Sequence, residues 1–218
     1  SYFDLDSDVF YTKLQKALNP ISKIDDSTNN EARQFPNELY GFAWITGTLI
    51  FLMFVSSTGS KLLSQWLHGS DDTSYTYDFE LLIKAISLFY GYNFLVPVLL
   101  YVVTTYYYKF PHVIQLVQTI SIFGYTNVLW IPITLVNLII VVLISNNTHG
   151  YVLNILEWLI VAANGLITGL SNIVKLSPII KKNCDDLASD KLYYGIIGVM
   201  AIVHLGFTVV VKFSFFGV

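Results

Sequence analysis

Charge is missing from almost half of this sequence. Five apolar runs, at about 41–60, 86–106, 122–144, 153–173 and 193–211, hold 104 of the 218 residues, yet of the 27 charged side chains only Glu157 falls inside them. Each run is long enough to cross a hydrocarbon layer of roughly 30 Å as a helix. A soluble core does not need charge excluded over such lengths. Hydrocarbon does, because a charged group there has no water to solvate it. The predicted fold class is therefore all-α: an integral membrane bundle of five transmembrane helices preceded by a short cytosolic amphipathic helix.

Composition agrees, with 54% hydrophobic and 12% charged residues against roughly 25% charged in soluble domains. The net charge of −3 lacks the basic excess that nucleic-acid binding draws on. Cys184 is the one cysteine, so neither an intramolecular disulfide nor a multi-cysteine metal site can form. The first forty residues carry seven acids and four bases, and no signal peptide is expected in them.

Orientation follows from lysine and arginine, which stay on the cytosolic side of short loops. The N-terminal segment (Lys13, Lys16, Lys23, Arg33), the loop after span two (Lys109) and the loop after span four (Lys175, Lys181, Lys182, Lys191) carry nine bases. The opposite side carries three: Lys61, Lys84 and Lys212. The expectation is a cytosolic N-terminus and a lumenal C-terminus. Asn146-Asn147-Thr148, a glycosylation sequon or an ordinary polar turn, then falls in a lumenal loop at 145–152.

Two regions are expected: residues 1–40, a cytosolic segment, and residues 41–218, a five-span membrane domain. In the first, Val9, Phe10, Leu14, Ala17, Leu18 and Ile21 recur at helical spacing, with Asp6 or Ser7 as N-cap and Pro20 near the end. This helix either lies on the headgroups or bundle end, or docks a cytosolic partner. Residues 22–34 read as a linker.

Spans two and three open alike, Ile86-Ser87-Leu88-Phe89-Tyr90-Gly91-Tyr92 before Pro97 and Ile120-Ser121-Ile122-Phe123-Gly124-Tyr125 before Pro132. This is the pattern of an inverted repeat with both prolines kinking their spans, or simply of glycine contacts shaping a bundle. In span four, Glu157, Asn164, Thr168, Ser171 and Lys175 form an intramembrane polar stripe within roughly 40° of one helical line. Gly165 and Gly169 make a GxxxG on the adjoining face, suited to helix packing. His204 stands alone midway along span five, and Cys184 could carry palmitate. No nucleophile–base pair, phosphate loop or metal-ligand set appears, so no enzyme, metal or cofactor is expected.

The residues resemble a family. Glu38-Leu39-Tyr40-Gly41-Phe42-Ala43-Trp44-Ile45 looks like the Leu-Tyr-Gly-Pro-x-Trp-Ile motif of the Yip-domain, or Ypt/Rab-interacting, membrane proteins, departing at Phe42-Ala43, where many relatives carry Pro-Phe. Gly91-Tyr92 with Pro97, and Gly124-Tyr125 with Pro132, match that family's second and third spans. Tyr2-Phe3-Asp4-Leu5-Asp6, the Lys13 and Lys16 helix and Leu18-Asn19-Pro20 are similar to the subgroup of vertebrate members one and two and yeast Yip five. The resemblance implies a Golgi or early-secretory membrane adaptor that associates with prenylated Rab/Ypt GTPases and Yip/Yif partners in vesicle transport. Leu39, Tyr40, Gly41, Trp44, Gly91, Tyr92, Pro97, Gly124, Tyr125 and Pro132 become partner-binding or structural candidates. A small transporter or lipid-translocating protein is the alternative, drawing on the repeat and the stripe.

Overall fold

The computed structural model describes residues 7–21, 38–68, 79–143 and 146–216, and among these no strand occurs. The order is α1 (Ser7–Leu18), a π-helical turn (Gly41–Ile45) leading into α2 (Thr46–His68), α3 (Phe79–Val102) ending in a second π turn (Val103–Tyr107), α4 (Leu116–Thr126), a 3-10 turn (Asn127–Leu129), α5 (Trp130–Leu143), α6 (Asn146–Asp186) and α7 (Asp190–Phe215). Among the described residues, five stretches are long and apolar enough to cross a membrane: Gly41–Gly59, Phe79–Tyr107, Leu116–Val142, Gly150–Asp186 and Asp190–Phe215. The segments Tyr2–Asp6 and 22–34 lie outside the described residues.

The helices overrun the expected spans. The loop expected at 107–121 gives way to helix from Leu116, and that at 174–192 shrinks to the residues between Asp186 and Asp190. The cause is tertiary packing: Leu176, Ile180 and Cys184 are buried against other helices, so the chain need not leave helix where hydrocarbon ends. The turn expected at 145–152 is also helical from Asn146, and the Asn and Thr residues that suggested a turn are equally those favoured at a helix start. At its other end α6 closes in a Schellman arrangement. The Ser189 N–H donates to the Cys184 carbonyl, the Ala188 N–H donates to that of Asp185, and Ala188 takes φ of 50°.

Spans two and three are not interrupted alike. Pro97 sits buried inside α3, which runs as α-helix from Phe79 to Val102. Span three instead breaks at the 3-10 turn, leaving Pro132 exposed in the first turn of α5, where its missing N–H removes little from the hydrogen-bond ladder.

Side chains sort by solvent. Toward one end, Ala17 of α1, Ile45, Phe123, Tyr125, Ile180 and Met200 share a core, with Phe10 and Leu14 of α1 packed on it. α1 therefore lies against the end of the bundle. A second core gathers around Phe89, whose ring meets Phe207 at 5.4 Å and Trp130 at 6.2 Å. Outward face Phe51, Leu95, Leu99, Leu159, Leu166, Ile202 and Leu205, an exposure of aliphatic surface that lipid solvates and water would not. Trp44, Tyr106, Tyr107 and Tyr194 are exposed toward the α1 end, and Phe79, Tyr151 and Phe213 toward the other, as in interfacial aromatic belts.

Candidate functional site

The Tyr-Gly and Gly-Tyr motifs of spans one and three meet. Within the π turn, Gly41 faces the Tyr125 ring so closely that a β-carbon there would stand 2.5 Å from Tyr125 Cδ2. Reciprocally, Gly124 lies against the backbone of Phe42. Close approach lets the fully buried Tyr125 hydroxyl reach Glu38, donating to Oε1 at 2.8 Å, while the Tyr40 N–H donates to Oε2 at 2.8 Å. Glu38 is thus an acceptor held between a phenol and the start of span one. Phe10 of α1 closes the group from outside, edge-on to Tyr40 at 5.4 Å. Leu39 is half-buried and its carbonyl accepts from the Ala43 N–H, whereas Trp44 points outward.

Span two joins through tyrosines rather than through its glycine. The Tyr90 hydroxyl donates to the Ala43 carbonyl at 2.7 Å, and Gly91 faces open space. Asn127, at the break in span three, donates from Nδ2 to Thr46 Oγ1 at 2.8 Å. Three spans are therefore tied by hydrogen bonds at the first π turn and at the 3-10 turn, two of the places where regular α-helix is interrupted.

A second group lies between α3, α6 and α7. Tyr92 donates its hydroxyl proton to His204 Nδ1 at 2.6 Å, and His204 Nε2 lies 3.0 Å from the Gly165 carbonyl and 2.9 Å from Thr168 Oγ1. This pattern fits a neutral imidazole protonated on Nε2. His204 sits over Gly169, where a β-carbon would stand 2.5 Å from its Cδ2, and Gly165 is equally filled by Thr208. The GxxxG face is thus occupied by α7 of the same chain. Along the stripe, Glu157, Asn164, Thr168, Ser171 and Lys175 are all buried. Lys175 donates to Ser171 and to the Asn19 carbonyl beyond α1.

Sequence reasoning assigned Lys212 to a lumenal flank. It is buried in the last turn of α7, donating to Glu157 at 3.1 Å, each side chain 2% exposed, and also to the Phe216 carbonyl. An acid inside a span demands such a partner, and antiparallel pairing of α6 with α7 supplies it. Asn183 was also missed: it exchanges two hydrogen bonds with the backbone of His112, pinning the loop before α4. A polar residue in a helix extension past the hydrocarbon gives no periodic signal.

Comparison with known proteins bears on all of these motifs. The chain is 26% identical over 215 residues to Protein YIPF1 homolog of Dictyostelium discoideum, covering 98% of this chain and 54% of that one. To Protein YIP5 of Saccharomyces cerevisiae it is 27% identical over 168 residues, 74% of this chain and 52% of the relative. The chain is thus similar to Yip-family proteins over nearly its whole length. Protein YIP5 of Schizosaccharomyces pombe is 31% identical over 98 residues, 45% of this chain and 37% of the relative. The chain spans about half the length, or less, of these curated relatives. No family model and no solved structure matches.

Proposed function

We propose that this chain is a non-enzymatic membrane adaptor of the Golgi and early secretory pathway, with its N-terminus cytosolic and its C-terminus lumenal, that associates with prenylated Rab/Ypt GTPases and with other Yip/Yif proteins. Likeness to the YIPF1 and YIP5 proteins supports the class. The observation that carries the adaptor reading is the α1 end of the bundle. There Phe10, Leu14 and Ala17 are spent on the core, and Asp8, Tyr11 and Gln15 are left exposed, as are Lys109, His112 and Val113 in the loop before α4. This is a fixed, mixed-charge surface presented by helices, and a partner binding it should do so weakly and with salt sensitivity. A prenyl chain entering the bilayer alongside adds about 0.8 kcal/mol per buried CH₂.

The test reconstitutes the full chain in proteoliposomes and measures retention of prenylated and unprenylated GTPases at low and high salt, beside a Tyr11→Ala/Asp8→Lys variant. Retention that needs the prenyl group and falls in the variant supports the adaptor. Absence of any retained GTPase, with solute or lipid flux across the same vesicles, replaces it with the transporter or lipid-translocating reading.

A further inference from the structure

Toward the α1 end, α3 and α7 part to leave a cleft of about 430 Å³, walled by Leu99, Leu100 and Val103 on one side and Ile196, Val199 and Val203 on the other. Leu99 and Val199 are more than half exposed, so the cleft opens sideways, into what surrounds a membrane-spanning bundle. Three features set it apart from the rest of the lipid-facing surface.

The first is its extent. The lining runs from Val96 to Tyr108 on one side and from Lys191 to Val203 on the other, about 18 Å at the helical rise, against roughly 15 Å for half of the hydrocarbon core.

The second is polarity. Tyr108 and Lys191 line the α1 end of the cleft, Thr104 spends its hydroxyl on the Leu100 carbonyl of its own helix, the rest of the lining is apolar, and no acid lies among the lining residues. Lys191 is exposed at the start of α7, where a long side chain can keep its ammonium at headgroup level.

The third is Gly195. It lines the cleft, yet a β-carbon there would meet nothing within 4 Å, unlike Gly165 and Gly169 on the opposing contact. Close packing does not require this glycine. It keeps open a space that any larger residue would begin to fill.

We propose that the α3–α7 cleft holds one acyl chain of an anionic phospholipid, with the phosphate-bearing headgroup at Lys191. The aliphatic walls solvate the chain, and the lone lining charge selects the headgroup. The site is independent of GTPase association.

The test places the full chain in nanodiscs of equal palmitoyl-oleoyl phosphatidylserine and phosphatidylcholine, extracts it and identifies retained lipid by native mass spectrometry. The wild-type chain keeps phosphatidylserine over phosphatidylcholine by roughly fivefold, and added inorganic phosphate does not displace it. Gly195→Phe loses the lipid, and Val199→Trp, whose ring enters the same cleft, reports the same loss should the first variant fold poorly. Lys191→Gln keeps a lipid but not the preference. Retention unchanged in a folded cleft-filling variant, equal retention of both lipids by wild type, or ready disulfide cross-linking of two Val199→Cys copies would each overturn the assignment, the last by giving the cleft to a second copy.

Discussion

Gly124 and Phe42 touch backbone to backbone: a β-carbon on Gly124 would stand 2.4 Å from the Phe42 Cα and 2.6 Å from its nitrogen. Neither partner can yield as a flexible side chain would. Gly124→Ala should destabilise the bundle by about 1–3 kcal/mol through overpacking, read as a lowered unfolding temperature in detergent. Gly91→Ala, made at a position with open space around it, should leave that temperature unchanged or slightly raised. Equal effects of the two would refute the interlock of spans one and three.

Glu157 and Lys212 give a sharper test because neither can reach water. Lys212→Met strands a buried carboxylate and should cost about 3–5 kcal/mol. Adding Glu157→Gln removes the stranded charge and should recover most of the loss. A double-mutant cycle on denaturant unfolding measures the coupling, and simple additivity would mean that the two side chains do not pair.

Ala188 sits at φ of 50°, a backbone region that costs an ordinary residue about 1–2 kcal/mol. Ala188→Gly should relieve part of this and raise thermal stability. A fall in stability would show that the α6–α7 turn is not the left-handed cap described above.

Among the described residues, two of the lysines in the orientation count are buried in the bundle, Lys175 and Lys212, one from each side. Setting them aside leaves eight bases against two, so the bias survives. In sealed microsomes, added protease should remove an epitope placed before residue 30 and spare one placed after residue 214. The reverse pattern would invert the proposed partner surface.

The five spans were legible because hydrocarbon acts on every residue of a run at once, so a window average carries the signal. The stripe was legible for a related reason, since five polar groups at helical spacing in one apolar run have few places to face. What could not be read is pairing. Lys212 lies one residue beyond an apolar run and looks like a flank until α6 packs beside it, and Glu38 looks like a solvated charge until Tyr125 reaches it. The equal treatment of Gly91 and Gly124 failed similarly: the same dipeptide chemistry meets a backbone in one case and open space in the other. Pro132 misled because a proline in an apolar run marks an interruption without saying on which side of it the helix resumes.

The burial of α1 also fixes an order of events at the ribosome. Ala17 is wholly buried in the core that holds Ile122 and Ile180, and Lys175 reaches the carbonyl of Asn19, so the surfaces that receive α1 include parts of the third and fourth spans. Made before those spans, α1 must wait, with Phe10, Leu14 and Ala17 uncovered, until they have been threaded into the bilayer. Its docking is a late step of biogenesis, and protection of α1 marks a chain whose insertion is complete.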